Sequence, residues 1–360
     1  MLPCQRVYQE NVLKKSLPSS SPSSSSSSSS PAKENKEKLK VTDYNVQLDY
    51  QLSSKEDVVV AINTILTNRW SESTELHDKY RLNHLKGTSL EEVIFQIKNL
   101  SSSSKAELVT FRQSLPSGVV TVTQLYSIFH TQGNTFVDKS LELSIRRGIV
   151  RKFIISNASP VISRSLNAFQ SKKVTYGFEN VEIVALSKHF DKVIEESVNA
   201  MKAKNDEEAR GVVSSLEKFH DFVRLNPQEM FISSFHFTEA DISNLMRLGY
   251  ITLTSNHFNE QESHYSIAYP GCGTFLKLVN ECKIWLVKAL NKTKYKELLE
   301  DELFRRWSGV NPEGDPKLNN FRKPYFGYDL HWVLADALGC GIIEVFNTPV
   351  GRGWRLTGKL

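Results

Sequence analysis

The chain has 360 residues, of which 40% are hydrophobic and 10% aromatic, and its formal net charge is +5. This length suits two or three compact domains, and the mild positive charge favours anionic partners. The four cysteines form no CxxC pair, which indicates neither a disulfide framework nor a zinc site. No apolar run reaches the roughly 18 residues of a membrane span, and the first residues lack a secretory signal. We therefore expect a soluble, intracellular protein with no membrane partner.

The N-terminal segment is a serine and proline tract followed by lysines. Such a composition buries too little apolar surface to offset the entropy of ordering, so residues 1–40 are predicted to be a disordered tail. Its lysines fit a solubilising tail, a nuclear import signal or a loose nucleic-acid anchor. Residues 41–86 are predicted to form an N-terminal extension with one helix. The apolar run of Asp57–Trp70 fits a helix or a strand. We expect a helix packed on the first domain, with a partner-binding helix as the alternative.

The first domain is predicted to span residues 87–204. Ser89–Leu100 has a polar cap, acidic residues in its first turn and a one-sided apolar stripe, which predicts a helix. After a serine-rich joint two further helices are predicted, and the second of them ends at Gly148, a typical left-handed terminator. A strand from Ile149, a polar wing and a returning strand over Asn180–Leu186 follow. The predicted order is helix, helix, helix, strand, wing, strand.

This order recurs in a second domain, residues 205–290, which ends in a long helix, and in a compressed third domain, residues 291–360. The residues around Gly148 match those around Gly341 closely, and those around Gly249 with a one-residue shift. Copies spaced roughly 90 to 100 residues apart are too long for a solenoid of small repeats. The predicted fold class is α+β, with three tandem winged-helix domains preceded by a disordered Ser-rich N-terminal tail.

The most specific motifs lie in the second and third copies. "SIAYPGCGTFLKLVNECKIWLVKALNKTKYKELLEDEL" is followed, after a loop, by "YDLHWVLADALGCGIIEV" and a final "WRLTGKL". This segment resembles the serine/threonine-protein kinase 19 family, as a fungal-type member. That family has a Pro-Gly-x-Gly step into a long helix, then a basic stretch and a Tyr-x-Glu-Leu-Leu helix. The corresponding positions here are Pro270, Gly271, Gly273, Lys292, Lys294, Tyr295, Glu297, Leu298 and Leu299.

The resemblance is good over residues 205–360, weaker over 87–200 and absent from the first 85 residues, and Ser308–Pro324 looks like an insertion. It implies a nuclear protein of three winged-helix domains that binds DNA, and also RNA, without strong sequence preference. It further implies a role in transcription-coupled DNA repair. The kinase activity in the family name is contested on structural grounds.

The motifs of a kinase active site are absent from the sequence. There is no phosphate loop with three correctly spaced glycines, no His-Arg-Asp catalytic loop and no Asp-Phe-Gly metal ligand. The glycines of "PGCGTF" are interpreted as a tight turn into a helix. His236, His257 and His264 could approach one another across the second wing. No carboxylate or cysteine joins them at ligand spacing, so ordinary wing histidines are preferred to a metal site. The sequence predicts no enzyme, no cofactor and no metal.

Basic residues are the most informative candidates, because a winged helix holds duplex DNA mainly through its third helix and its wing. The first predicted group flanks the end of the first domain's third helix and its wing: Arg146, Arg147, Arg151, Lys152, Arg164, Lys172 and Lys173. The second group follows the long helix of the second domain and the joint after it: Lys277, Lys283, Lys288, Lys292, Lys294 and Lys296. The third helix of the second copy carries Glu239 and Asp241, which predicts a poor DNA reader. A solvated charged face is the alternative for either group.

The predicted function is that of a non-enzymatic nuclear DNA-binding protein with largely sequence-independent contacts to the backbone of double-stranded DNA, and RNA is a further expected ligand. Its remaining faces are predicted to bind transcription or repair proteins. The alternative is a winged-helix interaction scaffold of that machinery, and a serine/threonine kinase is the least favoured function. The sequence leaves the oligomeric state open, a homodimer included.

Overall fold

The computed structural model of the chain describes residues 50, 52–54, 57–76, 89–161, 175–204, 206–233, 235–253, 264–310 and 317–358. For residues 156–161, 175–180 and 264 the backbone alone is described. All of these residues belong to one compact body, Tyr44–Leu360. The predicted disordered tail, residues 1–40, lies outside the described residues.

Within this part of the chain the fold is α+β and contains three antiparallel sheets of three strands each. Every sheet has the same strand order, because the last of its strands along the chain lies in the centre, between the other two. Helices precede each sheet and pack against it. We call each sheet with its helices a unit and number the units in chain order. The α+β prediction is confirmed.

The N-terminal helix α1, Val58–Thr67, begins at Asp57, whose carboxylate accepts a hydrogen bond from the Val59 N–H (2.7 Å). Such a cap satisfies one of the amides that a helix start leaves unpaired. The buried side chains of α1 recur at helical spacing: Val58, Ala61, Ile62 and Ile65. They pack against the first sheet and the helices beside it. The prediction for Asp57–Trp70 of a helix packed on the first domain is confirmed.

The first unit contains α2 (Leu90–Gln96), α3 (Ser102–Gln113), β1 (Val119–Thr121), α4 (Val122–Ile128), α5 (Asn134–Arg146), β2 (Val150–Val161), β3 (Thr175–Leu186) and α6 (Ser187–Lys202). Hydroxyl groups of Ser89 and Ser101 cap α2 and α3, and Thr121 and Gln124 form a reciprocal capping box at α4. At Gly148 φ is +69°, so the chain leaves α5 through a left-handed turn, as predicted.

Two elements of the first unit differ from the sequence prediction. The serine-rich joint is the helix α3, because a serine caps it and its apolar residues Leu108 and Val109 are buried. The short strand β1 was not predicted, since three residues are too few to show the alternation that marks a strand. β1 pairs with β3, and the register places Val120 opposite Val184.

The second unit contains α7 (Glu207–Leu225), β4 (Phe231–Ser233), α8 (Glu239–Leu248), β5 (Ile251–Leu253) and β6 (His264–Ile267). Thr238 and Asp241 form a capping box at the start of α8, and Gly249 ends it with φ at +79°. Residues 235–238 form a turn where the first unit has a second helix. The predicted third helix and a strand on either side of the predicted wing are observed.

The third unit contains α9 (Cys272–Asn291), β7 (Glu297–Leu299), α10 (Glu300–Ser308), a 3₁₀ turn (Asn319–Phe321), α11 (Leu330–Gly339), β8 (Ile343–Thr348) and β9 (Gly351–Leu356). The resemblance implied a helix at the Tyr-x-Glu-Leu-Leu motif, Tyr295–Leu299, and this prediction is wrong. Glu297–Leu299 is the strand β7, which pairs with β9 through Leu298 opposite Trp354, a buried tryptophan, and the helix α10 begins only at Glu300. Cross-strand packing on this tryptophan outweighs local helix propensity.

The long helix α9 was assigned from the sequence to the second domain. In the structure it packs against α11, β7 and β9, so we describe it with the third unit. In the same way α6, which follows β3 in the first unit, packs mainly against α7 of the second unit. Its buried face includes Phe275, Val279 and Leu286. The domain boundaries stay predictions.

The first and third units meet through the two helices α4 and α11. Gly339 permits the contact, because a Cβ at this position would overlap the backbone oxygen of Thr123. The Trp332 indole N–H donates to the Asn68 carbonyl (2.8 Å), and its ring stacks on Tyr50 with centroids 5.6 Å apart. The N-terminal extension is thus built into the joint between the two units.

Candidate nucleic-acid interface

Two exposed arginines, Arg146 and Arg147, stand at the C-terminal end of α5. The side chain of Arg146 is 61% exposed, and its Nε donates to Glu142 Oε1 (2.9 Å) one turn earlier. A surface pair of this kind contributes little to stability, so it gives way easily to a competing anion. Arg147 follows the last helical residue and is also exposed. Both side chains can therefore reach a phosphate beside the end of α5.

Arg151 points the other way, into the protein, and only 3% of its surface is exposed. Its guanidinium donates to the carbonyl oxygens of Val223 (2.7 Å), Asn226 (2.8 Å) and Glu229 (2.9 Å). Burial lowers the pKa of Arg151 to about 10, so the side chain stays charged at neutral pH. The prediction that Arg151 contacts DNA is wrong, because its hydrogen-bonding groups are used inside the fold.

Lys152, the next residue of β2, forms a cross-strand ion pair with Glu182 of β3 (2.8 Å), and its side chain is 25% exposed. This pair is part of the sheet surface and leaves the ammonium group partly covered. Arg164, Lys172 and Lys173, the predicted wing residues, lie outside the described residues and stay predictions.

The structure adds Arg224, which the sequence analysis did not include. The three hydrogen bonds of Arg151 hold the segment that ends α7 against β2, and Pro227 lies 3.9 Å from the position of a Cβ on Gly148. Arg224 is exposed within this segment. We call Arg146, Arg147 and Arg224 the arginine cluster. The sequence signal for Arg224 was weak, because it is a single basic residue far along the chain from Gly148.

A second set of exposed cations, Lys288, Lys292 and Lys294, lies at the C-terminal end of α9 and in the turn after it. We call these three residues the lysine cluster. Lys296 is half-buried, and its carbonyl accepts a hydrogen bond from the Leu356 N–H (3.1 Å). The C-terminal end of a helix carries the negative end of its dipole, which favours these positively charged lysines at the end of α9.

Lys277 and Lys283 do not belong to the lysine cluster. Lys277 is exposed, but it lies about 22 Å along the helix from Lys292, at the 1.5 Å rise of an α-helix. There it lines an open groove with Phe111 and Phe326. The sequence placed these lysines in one group because they follow one another along the chain.

Lys283 forms an ion pair with Asp336 of α11 (2.9 Å), and its side chain is 20% exposed. Asp336 is buried and also accepts hydrogen bonds from the hydroxyl groups of Thr121 (2.6 Å) and Thr123. Burial alone would raise the pKa of Asp336, but Lys283 and the two hydroxyl groups hold it below its usual value. The prediction that Lys283 contacts DNA is therefore wrong, because its charge neutralises a buried carboxylate.

The helices that directly precede the hairpins of the other two units, α8 and α11, differ from α5. Most side chains of α11 are buried between the third unit and α4. In α8, Asp241 is buried and accepts hydrogen bonds from Ser215 (2.7 Å) and Lys218 (3.1 Å). Burial would raise the pKa of Asp241, but these bonds and those of Thr238 lower it to about 2. Asp241 thus stabilises the helix cap, and Glu239 is the acidic residue that α8 exposes to solvent.

No group of three histidine, cysteine or carboxylate side chains with metal-binding geometry occurs in the described part of the chain. His236 is exposed, whereas His257 lies outside the described residues and the side chain of His264 is not described. The helices in the described ranges include none that is long and apolar enough to cross a membrane.

Residues 90–356 match the sequence profile of a family described as inactive serine-threonine protein kinase 19. The chain belongs to this family. It is also similar to serine/threonine-protein kinase mug51 of Schizosaccharomyces pombe, with 25% identity over 244 residues that cover 67% of each chain. The family match begins at α2 and ends with β9, so it takes in all three units and leaves out the N-terminal extension.

The resemblance to the serine/threonine-protein kinase 19 family that the sequence predicted is thus confirmed. The family is described as inactive, while the relative from Schizosaccharomyces pombe carries the name of a kinase. An inactive family agrees with a chain whose sequence lacks the phosphate loop and the catalytic loop of protein kinases.

Proposed function

We propose that the three units are winged-helix domains and that the protein binds the backbone of double-stranded DNA without enzymatic activity. The winged-helix assignment is supported by the shared strand order and by a helix directly before each hairpin, α5, α8 or α11. In such domains the third helix and the wing approach DNA. The helix α11 is buried against α4, and the exposed Arg247 of α8 is paired with Glu208 (2.5 Å). This leaves α5 as the hairpin-preceding helix with two exposed arginines at its end.

The arginine cluster is the observation that carries the proposal. Arg146, Arg147 and Arg224 are exposed at the end of α5 and at the segment that Arg151 holds beside it. Guanidinium groups bind phosphate oxygens in bidentate geometry, and each phosphate neutralised releases counterions. The lysine cluster supplies a second set of phosphate contacts at the end of α9. Among the described residues, neither cluster is accompanied by an arrangement of side chains that selects particular bases, so we propose binding without strong sequence preference.

Fluorescence anisotropy with a duplex of unrelated sequence tests this function. We expect binding that weakens steeply with salt, because each phosphate contact contributes about 0.9 to the slope of log K against log salt. The double variant Arg146→Glu and Arg147→Glu should bind at least about ten-fold more weakly and lower the slope by about 2. Lys288→Glu with Lys292→Glu tests the lysine cluster in the same way.

The matched control is Lys98→Glu with Lys204→Glu. Both lysines are exposed and lie outside the two clusters, and the change in net charge is the same. A control that loses as much affinity as the cluster variants would show that net charge alone drives binding. If the wild-type protein at micromolar concentration and low salt gives no signal, DNA binding is excluded as the function.

We propose further, from the family resemblance, that the protein acts in the nucleus in transcription-coupled repair and chromatin, that RNA is a second ligand, and that transcription or repair proteins bind its other faces. A fluorescent fusion excluded from nuclei would contradict the proposed location. The three domains lie in one chain, so their tandem arrangement does not require a homodimer. Gel filtration with light scattering would detect a homodimer.

A protein–protein interaction scaffold is the second candidate. It is favoured by exposed apolar side chains of the second unit, because Leu225 and Phe235 are each 80% exposed and Leu253 is 59% exposed. The DNA titration separates the two candidates, since a scaffold without DNA binding would give no anisotropy change at low salt. A kinase would be supported if Mg-ATP raised the melting temperature, because a ligand that binds only the folded state stabilises it.

A further inference from the structure

Tyr295 is an exposed aromatic residue inside the lysine cluster. Its surface is 70% exposed, whereas the other tyrosines whose side chains are described are buried or half-buried. Lys292 and Lys294 are exposed on the same short segment, and the Lys294 ammonium lies 5.3 Å from the centroid of the Tyr295 ring. An accessible ring flanked by cations is the arrangement with which proteins bind unpaired bases, since the base stacks on the ring and the lysines hold the phosphates.

The backbone presents this ring on a fixed turn. The Lys296 N–H donates to the Thr293 carbonyl (3.2 Å), which places Lys294 and Tyr295 at the tip of the turn. The Thr293 hydroxyl donates to the Leu290 carbonyl (2.8 Å) and accepts from the Glu297 N–H (3.0 Å). The turn is therefore bonded to the end of α9 on one side and to the start of β7 on the other.

A fixed turn matters for binding energy. An aromatic ring on a mobile loop loses conformational entropy when a base stacks on it, which offsets part of the gain. Here the turn is also bonded to β9, because the carbonyl of Lys296 accepts from the Leu356 N–H (3.1 Å). The backbone of Tyr295 is thus held in place before any ligand arrives.

We propose that Tyr295, with Lys292 and Lys294, forms a stacking site for an unpaired nucleobase of single-stranded DNA or RNA. The proposal rests on the proposed function, since it assigns to the lysine cluster a preference for nucleic acid with unpaired bases. In an intact duplex the faces of the bases are covered by their neighbours, so a tyrosine has no base to stack on. The lysines alone would serve duplex and single strand alike.

The experiment compares three ligands by fluorescence anisotropy: a blunt duplex, the same duplex with a single-stranded tail of about ten nucleotides, and the tail alone, with the tail made as DNA or as RNA. We expect the tail to raise the affinity of the wild-type protein. Tyr295→Ala should remove about ten-fold of affinity for the tailed and single-stranded ligands, the value of one stacked base, and change blunt duplex binding less than two-fold. Tyr295→Phe keeps the ring and should behave as the wild type.

Phe235→Ala is the matched control, because Phe235 is an aromatic residue with 80% exposure and no lysine or arginine among its sequence neighbours. It should leave all three affinities unchanged. Photocrosslinking of a halogenated tail, followed by mass spectrometry, should place the crosslink on the peptide that contains Tyr295. A loss confined to the DNA tail or to the RNA tail supports the site and identifies the strand that it prefers.

Several results would overturn the proposal. If the wild-type protein binds the blunt duplex and a tail adds nothing, the stacking site is wrong while the proposed function stands. If no ligand binds at all, the proposed function fails and the stacking site with it. An equal loss by Tyr295→Ala on the blunt duplex, or a loss by Tyr295→Phe as large as that of Tyr295→Ala, would show that the ring does not stack on unpaired bases.

Discussion

At the scale of single residues, Arg112 forms a deeply buried ion pair with Glu72. Its terminal nitrogens contact the carboxylate of Glu72, and its Nε donates to the Phe326 carbonyl (2.9 Å). The side chains of both partners are almost fully buried, at 1% and 3% exposure. The guanidinium also lies 4.0 Å from the centroid of the Trp70 ring. The pair thus joins the N-terminal extension to α3 and to the segment before α11.

Arg69 is also buried, but its surroundings are different. It donates to the Val119 carbonyl, and its guanidinium lies 5.0 Å from the centroid of the Phe275 ring. Its Nε has no hydrogen-bond partner within the described ranges. Burial lowers the pKa of Arg69, because no carboxylate compensates for the lost hydration of the cation.

These two arginines give contrasting predictions for the same substitution. Arg112→Met should lower the free energy of unfolding by about 3 to 5 kcal/mol, because it leaves the Glu72 carboxylate buried without a partner. Arg69→Met replaces a poorly compensated cation by an apolar chain of similar length. It should change the free energy of unfolding by less than about 1.5 kcal/mol. Urea denaturation followed by circular dichroism measures both. A loss for Arg112→Met as small as that expected for Arg69→Met would mean that Glu72 has another compensating partner.

At the scale of helices and strands, the contact of α11 with α4 decides what the third unit can do. The side chains Trp332, Val333 and Leu334 are buried, so the surface that a winged helix would turn toward DNA is covered. Gln124 of α4 donates to the Tyr328 hydroxyl (2.7 Å), which satisfies a polar group inside this contact. The helix is thus a packing element rather than a reading element.

The close approach of these helices predicts an unusual effect of a glycine substitution. In the interior of a helix Gly→Ala usually stabilises by about 0.5 to 1 kcal/mol. Gly339→Ala should instead destabilise by about 1 to 3 kcal/mol, because the added methyl group overlaps the backbone of Thr123 and pushes α11 away from α4. Gly211→Ala in α7 is the control, since nothing lies near its added Cβ. Thermal unfolding should shift in opposite directions for the two variants, and a gain in both would contradict the observed packing.

At the scale of the whole molecule, buried polar contacts and aromatic rings join the units. Asp336 of the third unit binds Thr121 of the first unit, as described above. Between the first and second units, Phe153 packs against Tyr269 with ring centroids 5.6 Å apart, and the Tyr269 hydroxyl donates to the Ser117 carbonyl (2.5 Å). The repeated units therefore depend on one another.

The Asp336 carboxylate makes this dependence sensitive to pH. Its pKa is lower in the folded protein than in the unfolded chain, so its contribution to stability is complete above the ordinary carboxyl pKa and is lost as the pH falls through the folded value. We expect the melting temperature to fall as the pH is lowered below about 4. Asp336→Asn should cost about 3 kcal/mol at pH 7, because it leaves the Lys283 cation without its carboxylate, and it should make the acid decline shallower.

The control for this measurement is Glu217→Gln. Glu217 pairs with Lys202 on the surface, where both side chains are more than half exposed, so the variant should change stability by less than about 1 kcal/mol. An acid decline of Asp336→Asn as steep as that of the wild-type protein would show that other carboxylates control it.

The sequence predicted the elements whose signals are local. A polar cap residue predicted the start of α2, and glycines predicted the ends of α5 and α8, where the structure has a positive φ. It predicted Arg146 and Arg147 as exposed cations, because a helix end followed by glycine leaves them outside the core. The errors concern residues whose role depends on distant partners. Arg151 and Lys283 have the same local pattern as the exposed cations, but their partners come from other parts of the chain.

By itself the sequence determined the family, the α+β class and the three-fold repetition, since these depend on residue types and on spacing along the chain. Only the tertiary structure decided which cations remain available to a ligand. The physical reason is that a charge is committed by what lies within about 4 Å of it, and for Arg151, Lys283 and Arg112 these neighbours are distant in sequence. The same packing buries α11 and leaves Tyr295 exposed between lysines.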